Sequence, residues 1–279
     1  MPSPRTDAAS APQKAAPVGP LLKELRERQR LSQMALALHT GVSQRHLSCL
    51  ETGKAQPSRA MLLALLDALR VPLSERNRAL LAAGFAPHYP CRDWQDEHLA
   101  AVRDTLRAFL RAHEPAPAML LDAQWNVLET NAAVPALMRL IGFTPAVRPG
   151  AAPMNMLEVL LGPDGLLPWI INAAELAPVV LQRAQAEATF NPALAARLQA
   201  MPAIRVPRSV TAEQPHEPPL LLMQLRSSAG TLRFMSAFTT LASPLDVTLE
   251  SLRMDHLLPA DAGTRLALEN ALAAVAPLT

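Results

Sequence analysis

The chain has 279 residues, half of them hydrophobic and 18% charged, which is too long for one ordinary core and too apolar for wholesale disorder, so two globular domains are expected. No run approaches the roughly 18 apolar residues of a membrane span, and the first 20 residues lack the apolar stretch of a secretion signal, so a cytoplasmic location with no membrane partner is expected. The net charge of +2 conceals a division: residues 20–85 hold ten Lys or Arg against five Asp or Glu, residues 1–19 carry +1, and residues 86–279 are left with −4. A basic module joined to a mildly acidic one suggests that the first meets a polyanion.

In chain order, residues 1–20 read as a flexible tail rich in Pro, Ala and Ser. Domain 21–85 then reads as five short helices. Leu21, Leu22 and Leu25 share one face of the first, ending near Arg30. Ser32 caps a second helix running to His39, with Gly41 after it where a left-handed residue is wanted. Ser43 caps a third, to Glu51; Pro57-Ser58 opens a fourth carrying Met61, Leu62, Leu65, Leu66 and Leu69; Pro72-Leu73-Ser74 starts a fifth, ending at Ala83-Gly84-Phe85.

Residues 31–58 carry the chemistry. Ala37 is small enough for a second helix to approach, Gly41 supplies the turn, and Val42, Leu47 and Leu50 are spaced to seat that second helix on the core. With Leu47 and Leu50 inward, Ser43 stands at the start of the helix and Gln44, Arg45, Ser48, Cys49 and Thr52 face outward. Gln pairs with adenine and Arg with guanine in the major groove, so Gln44 and Arg45 are the leading base readers. Gln33, Lys54, and Arg59 beside Ser58 are placed to meet phosphates. A thiol on such a face also raises the alternative of redox control through Cys49.

Segment 21–70, with its LSQ, small residue, GVS, LS, LETGK and PS, resembles the Xre (Cro/C1-type) helix-turn-helix of bacterial and phage repressors. Farther on, ERNRALLAAGFAPHY, WNVLETNAA, NMLEVLLGPDGLLPWIINAAEL and SPLDVTLESLRMDHLLPAD resemble regulators with a MmyB-like C-terminal domain. That resemblance implies a PAS-like α/β domain sensing a small molecule, such as one of fatty-acyl type. Where that family carries His-Pro-x-Gly-Leu and Pro-Arg-Ile, this chain has Gly162-Pro163-Asp164-Gly165-Leu166 and Pro168-Trp169-Ile170, which points to a different ligand, a less polar one, or none.

Residues 86–98 read as a polar linker. Domain 99–279 then opens with a helix from Leu99 to His113, a strand pair turning at Asp122 to Gln124, and a helix from Asn131 to Ile141. Helices are predicted over Pro168–Glu187 and Pro192–Met201, then three antiparallel strands within 220–228, 231–242 and 244–258, and a closing helix from Ala262 to Ala276. The fold class is therefore α+β, an all-α helix-turn-helix domain followed by a domain with an antiparallel sheet, which the resemblance implies is PAS-like. Candidate ligand residues, apolar with a few polar groups, are Met119, Leu121, Trp125, Asn131, Met138, Trp169, Asn172, Phe234 and Phe238.

Two cysteines form no framework, and the histidines lack metal spacing; HExxH, GxSxG, the P-loop and GxGxxG do not occur. No catalytic residue, metal or cofactor is expected. The sequence reads as a DNA-binding regulator, a homodimer on a double-stranded, pseudo-palindromic operator, modulated by a small apolar ligand. The alternative is a C-terminal domain that binds a protein partner or only dimerises.

Overall fold

The structure, a computed structural model, describes residues 17–144, 153–202 and 220–274. It divides into two compact units, residues up to Cys91 with Leu245–Val247, and the remainder from Arg92 on.

The first unit has five helices: α1 (Val18–Arg28), α2 (Gln33–Thr40), α3 (Gln44–Glu51), α4 (Arg59–Ala68) and α5 (Leu73–Ala82). Ser32, Ser43 and Ser58 sit in extended backbone just before α2, α3 and α4, and each side chain accepts a hydrogen bond from an N–H of the first turn. Leu22, Leu25, Leu36, Leu47, Leu50, Leu62, Leu65 and Leu66 form one core. Helix α1 begins inside the span read as a tail, because Val18 is buried and Gly19 lies against the carbonyls of Leu50 and Glu51. A Cβ at Gly19 would come 2.5 Å from the Leu50 oxygen, so the close approach of α1 to α3 requires glycine there. Gly41, with φ of 69°, ends α2 in the left-handed region.

The span predicted as a linker is tied down at both ends. Asn77 accepts from the His88 and Tyr89 N–H groups and donates to the Tyr89 carbonyl, while Trp94 is buried in the second unit with Leu106 and Leu110.

In the second unit, α6 (Ala100–Ala112) leads into β1 (Ala118–Leu121), β2 (Val127–Thr130), α7 (Ala133–Ile141), α8 (Met156–Leu161), α9 (Ala173–Ala188) and α10 (Pro192–Ala200). Then come β3 (Met223–Ser227), β4 (Gly230–Thr240), α11 (Val247–Ser251), β5 (Arg253–Pro259) and α12 (Ala262–Ala273). The five strands form one antiparallel sheet ordered β2-β1-β5-β4-β3. Side chains alternate across it: Ala118, Leu120 and Met254 pack with Leu106 and Leu110 of α6, whereas Met119 and Leu121 pack with Leu157, Ala177 and Leu194 on the other face. Farther along that second face Leu225, Leu232 and Phe234 pack with Leu137, Ile141 and Leu268. The fold is the expected α+β class.

Three spans differ from expectation. Residues 244–258 do not form one strand: Val247–Ser251 is helical, because Leu249 and Leu252, three apart, both reach the α6-side core. Pro168 and Trp169 lie in a 3-10 turn ahead of α9, and extended Ile170 bridges to Leu225, which delays α9 to Ala173. Helix α8 has no counterpart among the elements assigned from periodicity. The expected end of the last helix at Ala276 lies outside the described residues.

Candidate functional site

Helix α3 is held by its apolar face, Leu47 and Leu50 being fully buried. Gln44, Arg45 and Thr52 are exposed, and Ser48 and Cys49 half-buried, so the predicted outward face exists as one strip. Its members have different freedom. The Ser43 oxygen is engaged as cap to His46 N–H, and the Thr52 hydroxyl donates to the Ser48 carbonyl at 2.7 Å, whereas the Gln44 and Arg45 side chains extend into solvent. Exposed Lys54 follows in the turn, its N–H closing on the Cys49 carbonyl. Arg59 opens α4, and its Nη2 stands 3.3 Å from Nδ1 of His88.

Beneath this strip lies a buried ion pair. Arg26 donates from Nε and Nη2 to the two oxygens of Glu51 at 2.6 and 2.9 Å, and from Nη1 to the Leu31 carbonyl. Gln33 donates to Glu51 Oε2 at 2.8 Å. Burial pushes the Glu51 carboxyl up, but hydrogen bonds from Arg26 and Gln33 and the nearby Lys23 charge outweigh it, holding the group below the ordinary glutamate value. Gln33, expected to meet phosphate, thus has its amide nitrogen anchored inward, which fixes the start of α2 relative to α3. Glu51 stood in the sequence only as part of LETGK; nothing in its spacing marked Arg26, 25 residues away, as its partner.

The nine candidate ligand residues do not converge. Met119, Leu121 and Trp125 lie at the α8–α10 end of one sheet face and Trp169 and Phe234 at the α7–α12 end of the same face, with Met138 touching both clusters. Asn131 is not free to bind a ligand: its amide donates to the Leu110 and Ala116 carbonyls and accepts from Ala118 N–H. Asn172 is likewise spent, donating to the Leu222 carbonyl and accepting from Gln224 N–H, which pins the start of α9 to β3. Phe238 is 58% exposed and lies under the Arg183 guanidinium.

Trp125 is a structural centre. Its φ is 67°, unusual for a bulky residue; the turn is held by Asp122, whose side chain accepts from the Gln124 and Asn126 N–H groups. Its indole donates to Glu187 at 2.7 Å, and the Arg253 guanidinium sits 3.9 Å over its ring. Arg253, 7% exposed, donates to Glu187 and Asp255. Burial raises the Asp255 carboxyl's proton affinity, against the pull of Arg253 and Arg183. Sequence reading missed this cluster, since its members lie 62 and 66 residues apart and meet only where α9, which carries Glu187, packs on the sheet beside the Trp125 turn and Arg253 of β5.

Space is found on the opposite face. A cleft of about 240 Å³ lies between α6 and strands β1, β4 and β5, bordered by Leu106, Phe109, Leu120, Leu252 and Met254; none of the nine candidates lines it.

Residues 18–79 match a helix-turn-helix domain family, and residues 102–271, more than half of the chain, match the MmyB-like transcription regulator ligand binding domain. The chain belongs to the MmyB-like transcription regulators. No curated protein matches it. In this regulator the helix-turn-helix match spans the strip on α3, and the ligand-binding match covers all five strands. It is a DNA-binding transcription regulator with a ligand-binding domain. Among the described residues, no helix is long and apolar enough to cross a membrane.

Proposed function

We propose that this regulator binds a pseudo-palindromic operator as a homodimer, reading bases with Gln44 and Arg45, and that a small apolar ligand in the second unit changes its DNA affinity. The observation carrying the reading is the strip on α3: Gln44 and Arg45 stand exposed at the start of a helix whose other face is buried, within a module of net charge +5 over residues 20–85. Ser48, Cys49, Thr52, Lys54 and Arg59 surround them as positioning contacts to backbone phosphate, while Gln33, its amide held by Glu51, and Ser43, engaged as a cap, act through the helix starts they occupy. A lone recognition helix buries little surface, and twofold pairing supplies the missing area.

A ligand alters DNA affinity only if it binds two conformations unequally. Selection of binding sites from a random duplex pool with the full chain tests the DNA side. The expected product is an inverted repeat with half-sites roughly 10 bp, or a multiple, apart; recovery of a single asymmetric site sinks the dimer. Native mass spectrometry of the same preparation tests the ligand side through an added mass lost on denaturation.

A further inference from the structure

The α6 side of the sheet contains space that the core does not fill. Leu106 and Phe109 project from α6 toward Leu120, Leu252 and Met254, and the cleft left among them, about 240 Å³, exceeds the roughly 150 Å³ that holds a benzene ring. A single ring or a chain of about six carbons fits this size. The cleft is not sealed, so an occupant can exchange with solvent.

Its lining selects against charge. Arg253 borders the cleft, yet it lies between Leu252 and Met254 on a strand, so its side chain leaves by the opposite face, where Glu187 and Asp255 bind the guanidinium. A carboxylate or ammonium entering from the α6 side would lose its water with no counter-charge to replace it.

One polar handle remains. Thr239 borders the cleft, and its Oγ1 lies 3.0 Å from Nε2 of His256. His256 is only 4% exposed and its Nδ1 has no hydrogen-bond partner. An orphaned N–H is rarer in buried sites than an under-used acceptor, so we assign the neutral ring's proton to Nε2, where it donates to Thr239. Burial, and then the His113 ring stacked 4.2 Å away, both disfavour a second proton on His256. Thr239 is exposed at the edge of the cleft, so with that tautomer its hydroxyl hydrogen is left for an acceptor at the cleft mouth.

We propose that this cleft is a binding site for a small neutral apolar molecule, one ring or a chain of about six carbons, bearing a single oxygen that accepts from Thr239. The proposal rests on the ligand-sensing reading above and places the ligand on the sheet face opposite to Met119, Leu121 and Trp125.

The test uses the full chain with ¹³C-methyl methionine, hexan-1-ol and hexanoate as probes, and Met254→Leu to assign the Met254 signal. Met254 borders the cleft while Met119 lies on the other face. Hexan-1-ol is expected to shift Met254 saturably and leave Met119 in place, with hexanoate at least about tenfold weaker. Thr239→Val is expected to weaken hexan-1-ol about two- to tenfold while toluene binding holds, whereas loss of both would mark Thr239 as structural and remove the hydrogen bond from the proposal. Shifts at Met119 with Met254 unmoved overturn the location and leave ligand sensing standing. No shift at any methionine up to the solubility of hexan-1-ol overturns the site. A Met254 shift with operator affinity unchanged upholds the site and overturns the sensing reading.

Discussion

Arg45 and Arg59 are both guanidinium groups on the first unit, but they occupy different chemical positions. Arg45 is exposed in the first turn of α3 beside Gln44, where a planar fork can meet a base edge, while Arg59 starts α4 next to His88. Arg45→Ala is expected to cost about 1–3 kcal/mol against one base pair of the operator and far less on random duplex. Arg59→Ala is expected to weaken every sequence alike and lower the slope of log K against log salt by about 1. Fluorescence anisotropy over a salt series distinguishes them; equal losses on operator and random DNA would remove Arg45 as a base reader. The Arg26–Glu51 pair under the strip makes a different demand, because removing Glu51 leaves buried Arg26 with only the exposed Glu27 carboxylate, 3.7 Å away, as counter-charge. Glu51→Leu is expected to lose about 3–5 kcal/mol, and Arg26→Met with Glu51→Leu to recover most of it, in urea unfolding followed by circular dichroism. The pH dependence has a definite sign. The folded Glu51 carboxyl lies below the ordinary glutamate value, so its stabilisation is complete above that value and is lost as pH falls through the lower, folded one. The double variant should lose this acid-side slope, and an unaltered slope would show that other carboxylates set it.

Elements differ in how much of them sequence could reveal, and the difference follows from range. The caps at Ser32, Ser43 and Ser58 are local, each serine reaching an N–H three residues on, so the helices of the first unit and the exposed strip on α3 were readable. The start of α1 was not, because it depends on Gly19 lying against Leu50 and Glu51, more than 30 residues away. Two glycine substitutions separate these causes. Gly41→Ala puts a Cβ into open space and is expected to cost about 1–2 kcal/mol through its left-handed φ alone. Gly19→Ala forces α1 off α3 and should destabilise more, despite alanine's better helix propensity. Thermal melts of the two variants check the order, and a Gly19→Ala chain as stable as the parent would refute the close contact. In the second unit, strand alternation showed that Met119 and Leu120 face opposite ways, but not which face holds open space. That depends on Leu252 and Met254 reaching α6 through the register of β5 on β1, which no local pattern encodes. Asn131 and Asn172 looked like ligand groups for the same reason: the backbone atoms that consume their amides arrive from elsewhere in the chain, from the last turn of α6 for Asn131 and from the approach to β3 for Asn172.

At the scale of the whole molecule, the division of charge assigns attraction for DNA to one unit. Residues 20–85 carry +5, and residues 86–279 carry −4, so long-range attraction to phosphate belongs to the helix-turn-helix unit and the second unit opposes it mildly. Under the proposed homodimer, sequence discrimination has another source, since single modules bury little groove surface and specific binders separate operator from random duplex by roughly 10³-fold or more. If pairing of two chains supplies the rest, a fragment of residues 1–91, which contains the core of the first unit, should keep salt-dependent binding to any duplex. Its preference for operator over random DNA should then fall below about tenfold. The full chain should instead show a steeper salt slope on operator, because two modules neutralise about twice as many phosphates as one. Anisotropy titrations of both forms on both duplexes, from low to physiological salt, measure this directly. A fragment that discriminates as well as the full chain would mean that Gln44, Arg45 and their neighbours suffice alone, and the homodimer would have no part in recognition.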